Sequence, residues 1–435
     1  MPIPDPLPIE PISGPLDATV ALPGSKSLTN RALVCAALAT GTSTLRHPLW
    51  ADDTVAMVEG LQALGIDVEG DHEGGDWSGD ELRITGCEGR PPAEVGIVDA
   101  RLSGTTARFL IPVAALGSGH VRVDGALPLR ARPMGPTVDA LRSLRVTVTE
   151  VGEPGHLPVE VHGGPAAGGA VRVSAHASSQ FLSGLLMAGP AMRTGLRIDV
   201  DGAVVSEPYV DMTVAVMAAF GASAVRADGG WSVDPQPYRA AEHVIEPDAS
   251  AASYAFAAAA LLGGSVRVEG LGTGSLQGDL AFVDVLERMG ARVERTPTAT
   301  TVHGTGILRG VEADLGDLSD TAQTLAVVAA FAEGPTRVTG VGFIRRKETD
   351  RIAAVVAELR RAGIEADEEP DGFVVRPGTT PRPATIQTYD DHRMAMAFAL
   401  LGLRAPGIRI ADPACVGKTF PGYWAMLDRL RRGHG

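Results

Sequence analysis

The sequence predicts an α/β protein of two similar domains, each built from three repeats that bury a helix. Two observations carry this expectation. A nearly all-apolar helix, followed by Gly and an alternating strand, recurs six times along the 435 residues. Between those copies recurs an amphipathic helix that closes on Leu-x-x-Leu/Met-Gly, or a near variant, and opens another strand. A helix apolar on every side must be buried all round, whereas one with polar residues at helical spacing covers a sheet from outside. Units of roughly 70 residues are longer than solenoid repeats and fit a duplicated α/β module.

In chain order, "ISGPLDATVALPG" alternates as a strand, and the symmetry of the repeats pairs it with the C-terminal half. The first buried helix runs from Arg31 in "RALVCAALATGTSTLRH", and "LQALGIDVEG" closes its unit. The second starts at Ala107 in "ARFLIPVAALGSGHVRVDG", with "LRSLRVTVTEVG" as a looser closing match. The third starts at Phe181 in "FLSGLLMAGPAMRTGLRIDVDG" and closes on "MAAFGASAVRADGG". A Pro-interrupted segment, "HVIEPDAS" at 243–250, then divides three units from three. The fourth starts at Ala252 in "ASYAFAAAALLGGSVRVEG" and closes on "LERMGARVERT". The fifth starts at Thr324 in "TLAVVAAFAEGPTRVTG" and closes on "LRRAGIEADEEPDG". The sixth starts at Arg393 in "RMAMAFALLGLRAPGIRIAD", and "MLDRLRRGHG" ends the chain.

The bulk numbers narrow the function classes. The length exceeds one ordinary core, and 45% apolar with 21% charged residues is a globular composition. A formal net charge of −14 excludes a general nucleic-acid or acidic-membrane surface, because such partners reward basic stripes. Cys35, Cys87 and Cys415 have no metal-like spacing, so a reduced, cytoplasmic protein without disulfides or structural zinc is expected. The N-terminal stretch lacks the basic and apolar regions of a signal peptide. No apolar run approaches the roughly 20 residues of a spanning helix.

The segments entering the six buried helices are "GSKSLTNR", "LSGTTAR", "ASSQF", "PDASAAS", "LSDTAQT" and "YDDHR". Ser25, Thr29, Ser103, Ser178, Asp248 and Thr321 suit N-caps, whose side chains accept from free helix amides. Capping does not account for the cations Lys26, Arg31, Arg108 and Arg393 at the same helix starts, where positive charge opposes the helix dipole. Their recurrence argues for a bound anion shared between helix amides and side chains. Further cations stand in turns: Arg130 and Arg132 in "LRARPMG", Arg345, Arg346, Lys347 and Arg351 in "RRKETDR", and Lys418 in "GKTFPGY".

The ordered motifs "LPGSKSLTNRAL", "SGTTAR", "RPMG", "SSQF", "VSEPY", "KETDR", "DHRMAMAF" and "KTFPGY" make the chain resemble, over essentially its full length, the 5-enolpyruvylshikimate-3-phosphate synthase family of enolpyruvyl transferases. The resemblance implies two domains of three βαβαββ units each, with helix N-termini facing an interdomain cleft. It implies one domain over 24–246 carrying shikimate 3-phosphate contacts, and a second over 1–23 and 247–435 carrying phosphoenolpyruvate contacts. The implied activity is that of a 3-phosphoshikimate 1-carboxyvinyltransferase of the shikimate pathway to chorismate and the aromatic amino acids. Such an enzyme moves the enolpyruvyl group of phosphoenolpyruvate to the 5-hydroxyl of shikimate 3-phosphate and releases phosphate. No metal or organic cofactor, no nucleic acid and no membrane partner is implied, and a monomer is expected.

By matching positions, Lys26, Ser27 and Arg31 resemble shikimate 3-phosphate contacts, with Lys26 also reaching phosphoenolpyruvate. Ser178, Ser179, Gln180, Ser206 and Tyr209 complete that pocket. Arg108, Arg132, Arg351, Arg393 and Lys418 match the cations that hold phosphoenolpyruvate, and Gly104 lies beside its pocket, where the herbicide glyphosate needs room. An addition–elimination through a tetrahedral intermediate needs groups that give and accept protons. The resemblance sets Asp320 at the 5-hydroxyl, Glu348 near C3, Lys26 between hydroxyl and phosphate, and Lys347 and Lys418 at the leaving phosphate. As structural alternatives, Asp320 suits an N-cap, Glu348 a helix ion pair and Lys26 a solvated surface.

Three positions depart from the pattern: Phe343 and Leu102 stand where Asn is frequent, and Phe109 where Pro is. Two rivals follow. The sister enzymes acting on UDP-N-acetylglucosamine usually carry a cysteine in the loop before Arg-Pro, and "DGALPLRARPMG" has none. A non-catalytic anion-binding relative is the other, since a fold does not guarantee activity.

Overall fold

A computed structural model describes residues 3–73, 76–164 and 166–432. The chain divides into one unit spanning Gly24–Glu246 and another formed by Met1–Pro23 with Pro247–Gly435.

In the Gly24–Glu246 unit the helices are α1 (Lys26–Leu38), α2 (Asp52–Ala63), α3 (Gly104–Ala114), the one-turn α4 (Leu127–Arg130), α5 (Gly135–Ser143), α6 (Gln180–Ala188) and α7 (Pro208–Ala219). Parallel neighbours need a crossover connection, and α3 supplies one between Val95–Asp99 and His120–Asp124. Val159–His162 and Thr147–Glu150 extend that sheet antiparallel. Around α6, Gly169–Ser174 and Leu196–Asp201 repeat the parallel pair. Around α1 the parallel partner of Thr42–Arg46 is Glu242–Val244, so the last strand of the unit opens its first repeat.

The second unit follows the same rule with α8 (Ala249–Leu262), α9 (Phe282–Arg288), α10 (Ala322–Ala329), α11 (Arg351–Arg361), α12 (His392–Arg404) and α13 (Tyr423–Arg432). Leu16–Val20 runs parallel to Gly264–Glu269 across α8, the long-range pairing that symmetry anticipates. Among the described residues the sixth repeat has no closing hairpin. Its sheet of Ala384–Ile386 and Ile408–Ile410 takes Leu7–Pro8 as the antiparallel strand instead. The end of its closing pattern, 433–435, lies outside the described residues.

Apolarity decides which helices are central. Every residue of α3 and α10 is buried, as are Leu28–Leu38 of α1 and His392–Leu403 of α12. By contrast, α11 buries Ile352, Val355, Val356 and Leu359 while Ala357, Arg360 and Arg361 face solvent, the stripe its sequence spacing demands.

Ser25, Ser103 and Asp248 cap α1, α3 and α8 by accepting from Leu28 N, Thr106 N and Ala251 N. Thr29 is not a cap, and Thr321 holds the cap position of α10 without a side-chain bond to a helix amide. The polar stretch before the first apolar run is already helical, so Thr29 lies inside α1 and its Oγ1 accepts from Leu49 N at 3.1 Å. Thr321 sits in a 3-10 turn and donates to Leu318 O. Ser178 precedes the cap position and accepts from Gln180 N at 3.2 Å. The earlier helix start also places Arg31 and Arg108 a turn inside α1 and α3. The dipole penalty therefore applies to Lys26 and Arg393, in first turns, and barely to those two.

Pro112 inside α3 removes the amide that would bond to the Arg108 carbonyl. That carbonyl approaches α6 where only Gly184 fits, because a Cβ there would lie 2.4 Å from it. Both neighbours are helix backbone and cannot yield cheaply. Gly184→Ala is expected to destabilise the unit by about 1–3 kcal/mol despite the gain in helix propensity. Thermal unfolding checks this, and an unchanged or raised Tm would refute it.

Candidate active site

In the Gly24–Glu246 unit the polar starts of α1, α3 and α6 are tied together. Lys26, first residue of α1, reaches Asp53 of α2, Nζ to Oδ2 3.2 Å. Asp53 is buried at 4% exposure, whereas the Lys26 side chain keeps 15%. Arg31 is buried and donates through Nε to Thr213 Oγ1 (2.8 Å), through Nη1 to Ser27 O (3.0 Å), and through Nη2 to Tyr209 O (3.0 Å) and Ser183 Oγ (3.3 Å). It therefore clamps α1 to α6 and α7. Phe109, one of the unusual positions, lies 5.3 Å beneath its guanidinium. Burial pulls this guanidinium down to about 10, which leaves it charged at neutral pH.

Arg108 donates to Gln180 Oε1 at 2.8 Å and to Pro133 O at 3.0 Å, over the Phe181 ring. Gln180 Nε2 in turn donates to Thr105 Oγ1 at 3.0 Å. Arg132 and Arg108 converge on Gly104, where an added Cβ would lie 2.9 Å and 3.0 Å from their guanidinium atoms. Arg130 faces away and pairs with Asp124 at the surface. Ser178, Ser179 and Ser206 are buried, Ser206 with φ 53, and Tyr209 is half-buried beside Arg31. Lys26, Arg31, Arg108 and Arg132 thus stand on or beside the starts of α1 and α3, with Asp53 paired to Lys26. Cationic groups gathered in this way suit an anion.

In the other unit the named residues form one network. Arg351, at 1% exposure, donates to Asp391 through Nε (2.7 Å) and Nη2 (3.3 Å), to Asp320 Oδ1 through Nη1 (3.2 Å), and to Glu348 Oε2 through Nη2 (2.8 Å). Arg393 donates to Asp320 Oδ2 at 2.5 Å, and Lys418 Nζ to Glu348 Oε1 at 3.0 Å. Burial alone would lower the Arg351 guanidinium, but the charges of Asp391, Glu348 and Asp320 outweigh it and hold it above the ordinary range. Lys347 lies 5.8 Å from the Phe343 ring, so this departure offers a cation–π contact in place of a polar one. The network balances Arg351, Arg393 and Lys418 against Asp320, Glu348 and Asp391, so it positions acid–base groups as much as it attracts anions.

Sequence reading missed Asp53 and Asp391. Each stands at a helix start, where the dipole favours an ordinary exposed acid, and nothing local announces that Asp53 is buried under Lys26 or that Asp391 is wholly buried under Arg351. The side-by-side acids in "ADDT" and "YDDHR" are the only hint.

Three comparisons bear on this arrangement. Residues 11–427 match the family model described as EPSP synthase (3-phosphoshikimate 1-carboxyvinyltransferase). A 3-phosphoshikimate 1-carboxyvinyltransferase of Nostoc punctiforme is 44% identical over 429 residues, covering 98% of this chain and 99% of the relative. One of Methanosphaerula palustris is 43% identical over 419 residues, covering 95% and 97%. Among solved structures, EPSP synthase from Acinetobacter baumannii superposes with a TM-score of 0.80 at 25% identity, covering 97% of each chain. No helix among the described residues is long and apolar enough to cross a membrane.

Proposed function

The chain belongs to the EPSP synthase family and transfers the enolpyruvyl group of phosphoenolpyruvate to shikimate 3-phosphate, and we propose that its two buried polar clusters divide that work. The gathering of Lys26, Arg31, Arg108 and Arg132 at the starts of α1 and α3 supports the reading most directly, since both substrates are polyanions and the chain as a whole is acidic.

Lys26, Ser27, Ser178 and Ser179 take the phosphate of shikimate 3-phosphate, with Arg31 holding their helices in register. Gln180, Ser206 and Tyr209 meet the ring substituents. Arg108 and Arg132, with Arg351, Arg393, Lys347 and Lys418, take the carboxylate and phosphate of phosphoenolpyruvate. Asp320 accepts the proton of the 5-hydroxyl as that oxygen attacks C2, while Glu348 in its acid form gives a proton to C3 and is left as the carboxylate. In the second half Glu348 takes a proton from C3 as the C–O bond to phosphate breaks, and Lys418, bonded to Glu348, supports the departing oxygen. Pre-set donors aimed at developing charge lower the barrier without reorganising, and a bound pair of reactants removes much of its entropic part. Lys26 serves the hydroxyl and the phosphate together.

Incubating the purified chain with phosphoenolpyruvate and either shikimate 3-phosphate or UDP-N-acetylglucosamine, and following phosphate release, tests the acceptor. Release is expected only with the former. Tight shikimate 3-phosphate binding without release would instead favour an inactive relative. Gly104→Ala gives a second test, because its methyl group would push Arg132 and Arg108 off their positions. It is expected to raise KM for phosphoenolpyruvate about tenfold with a smaller change in kcat, and to weaken glyphosate inhibition. Unaltered KM and inhibition would count against the assigned pocket.

A further inference from the structure

We propose a divalent transition-metal site, suited to Zn²⁺, on the outer face of the second-repeat sheet, formed by His120, Glu160 and His162. It is separate from both polar clusters above. His120 and His162 stand directly opposite each other in the antiparallel pair His120–Asp124 and Val159–His162, and Glu160 is two residues from His162 on the same face. Residues directly across such a ladder, and two apart along one strand, are the neighbours whose side chains meet.

The distances fit a metal better than they fit the alternatives. Zn²⁺ bonds of 2.0–2.2 Å to imidazole and carboxylate imply ligand atoms ~3.3 Å apart in a tetrahedral site. His120 Nε2 and Glu160 Oε2 are 3.4 Å apart, and one ligand atom from each of the three residues lies within 4.8 Å of the others. That 3.4 Å gap is long for a hydrogen bond, and His120 Nε2 has no hydrogen-bond partner although it is shielded from solvent. The imidazoles stack with centroids 4.3 Å apart and 6° between planes. The near-parallel rings must rotate about the broad χ2 torsion before their lone pairs converge on one ion.

Arg122 is the local competitor for Glu160, at 3.9 Å, but its nearer carboxylate is Asp124 at 3.3 Å. Two His and one carboxylate, completed by a water, form a donor set that zinc accepts. Bound metal would bridge two strands whose pairing sets the position of the loop after Asp124 that carries α4 and Arg132.

The test uses the untagged full chain, stripped with chelator and titrated calorimetrically with Zn²⁺. One saturable equivalent with Kd on the order of 10 µM is expected. His162→Ala and Glu160→Gln should each weaken it at least about tenfold, with Tm of the metal-free variants and turnover unchanged. Co²⁺ should give the visible absorption of a low-coordinate site, lost in His162→Ala. No saturable binding below 1 mM, wild-type affinity in both variants, or binding abolished only by blocking Cys87 and Cys415 would overturn the proposal.

Discussion

Replacing Lys26 by Met is expected to lower kcat/KM by about 10³ or more, a barrier increase of about 4 kcal/mol. The size follows from the two duties proposed for one ammonium group, phosphate binding and proton exchange at the reacting hydroxyl, each contributing substantially on its own. Methionine keeps the length and apolar stem of the side chain and deletes the charge. The substitution also leaves Asp53 buried without its cation, which destabilises α2 against α1. The double variant Lys26→Met with Asp53→Asn removes that secondary effect, so it should regain thermal stability without regaining turnover. A single variant retaining more than a tenth of wild-type kcat/KM, or recovery of activity in the double variant, would show that Lys26 is only structural.

Asp391→Ala is expected to give the largest loss of stability of any single substitution considered. Asp391 is fully buried, holds Arg351 through two hydrogen bonds and caps α12 by accepting from Arg393 N. Breaking a buried pair from one side costs roughly 3–5 kcal/mol, and losing a cap adds about 1 kcal/mol. In a unit of this size that corresponds to a fall in Tm of about 10–20 °C. Arg351 would also lose the anchor that fixes its orientation toward Asp320 and Glu348, so turnover should fall well below wild type at temperatures where the variant is folded. Asp391→Asn, which keeps the shape and the cap, should recover most of the stability and much less of the activity. Equal recovery of both would argue that Asp391 does nothing beyond holding the fold.

The central helices were readable because α3, α8 and α10 have no polar face at all, a pattern that local sequence displays without tertiary information. The strand Leu16–Val20 was readable only through symmetry, since its partner is far along the chain. The missing hairpin of the sixth repeat was not readable: the helix and strand signals are intact up to Ile410, and the substitute strand is two residues long. At the site, Lys26 and Arg393 stood out because positive charge conflicts with what a helix start requires, whereas Asp320 and Glu348 suit ordinary helix roles and were marked only by the family resemblance. Asp53 and Asp391 agree with what a helix start requires and so looked ordinary. The triad of His120, Glu160 and His162 depends on strand register, which composition and spacing do not encode.

The exchange of strands between the two segments of the chain has a consequence for biosynthesis. The stretch from Gly24 to Glu246 holds every strand of its own sheets, including the Glu242–Val244 strand that completes the first. It is able to close as soon as those residues leave the ribosome. Leu16–Val20, translated earlier, must wait for Gly264–Glu269, with Asp17 and Ser265 separated by 248 positions. Leu7–Pro8, the first of the described strands, waits longer still, for Ile408–Ile410, and an isolated 247–435 fragment would expose the edges that these two strands cover.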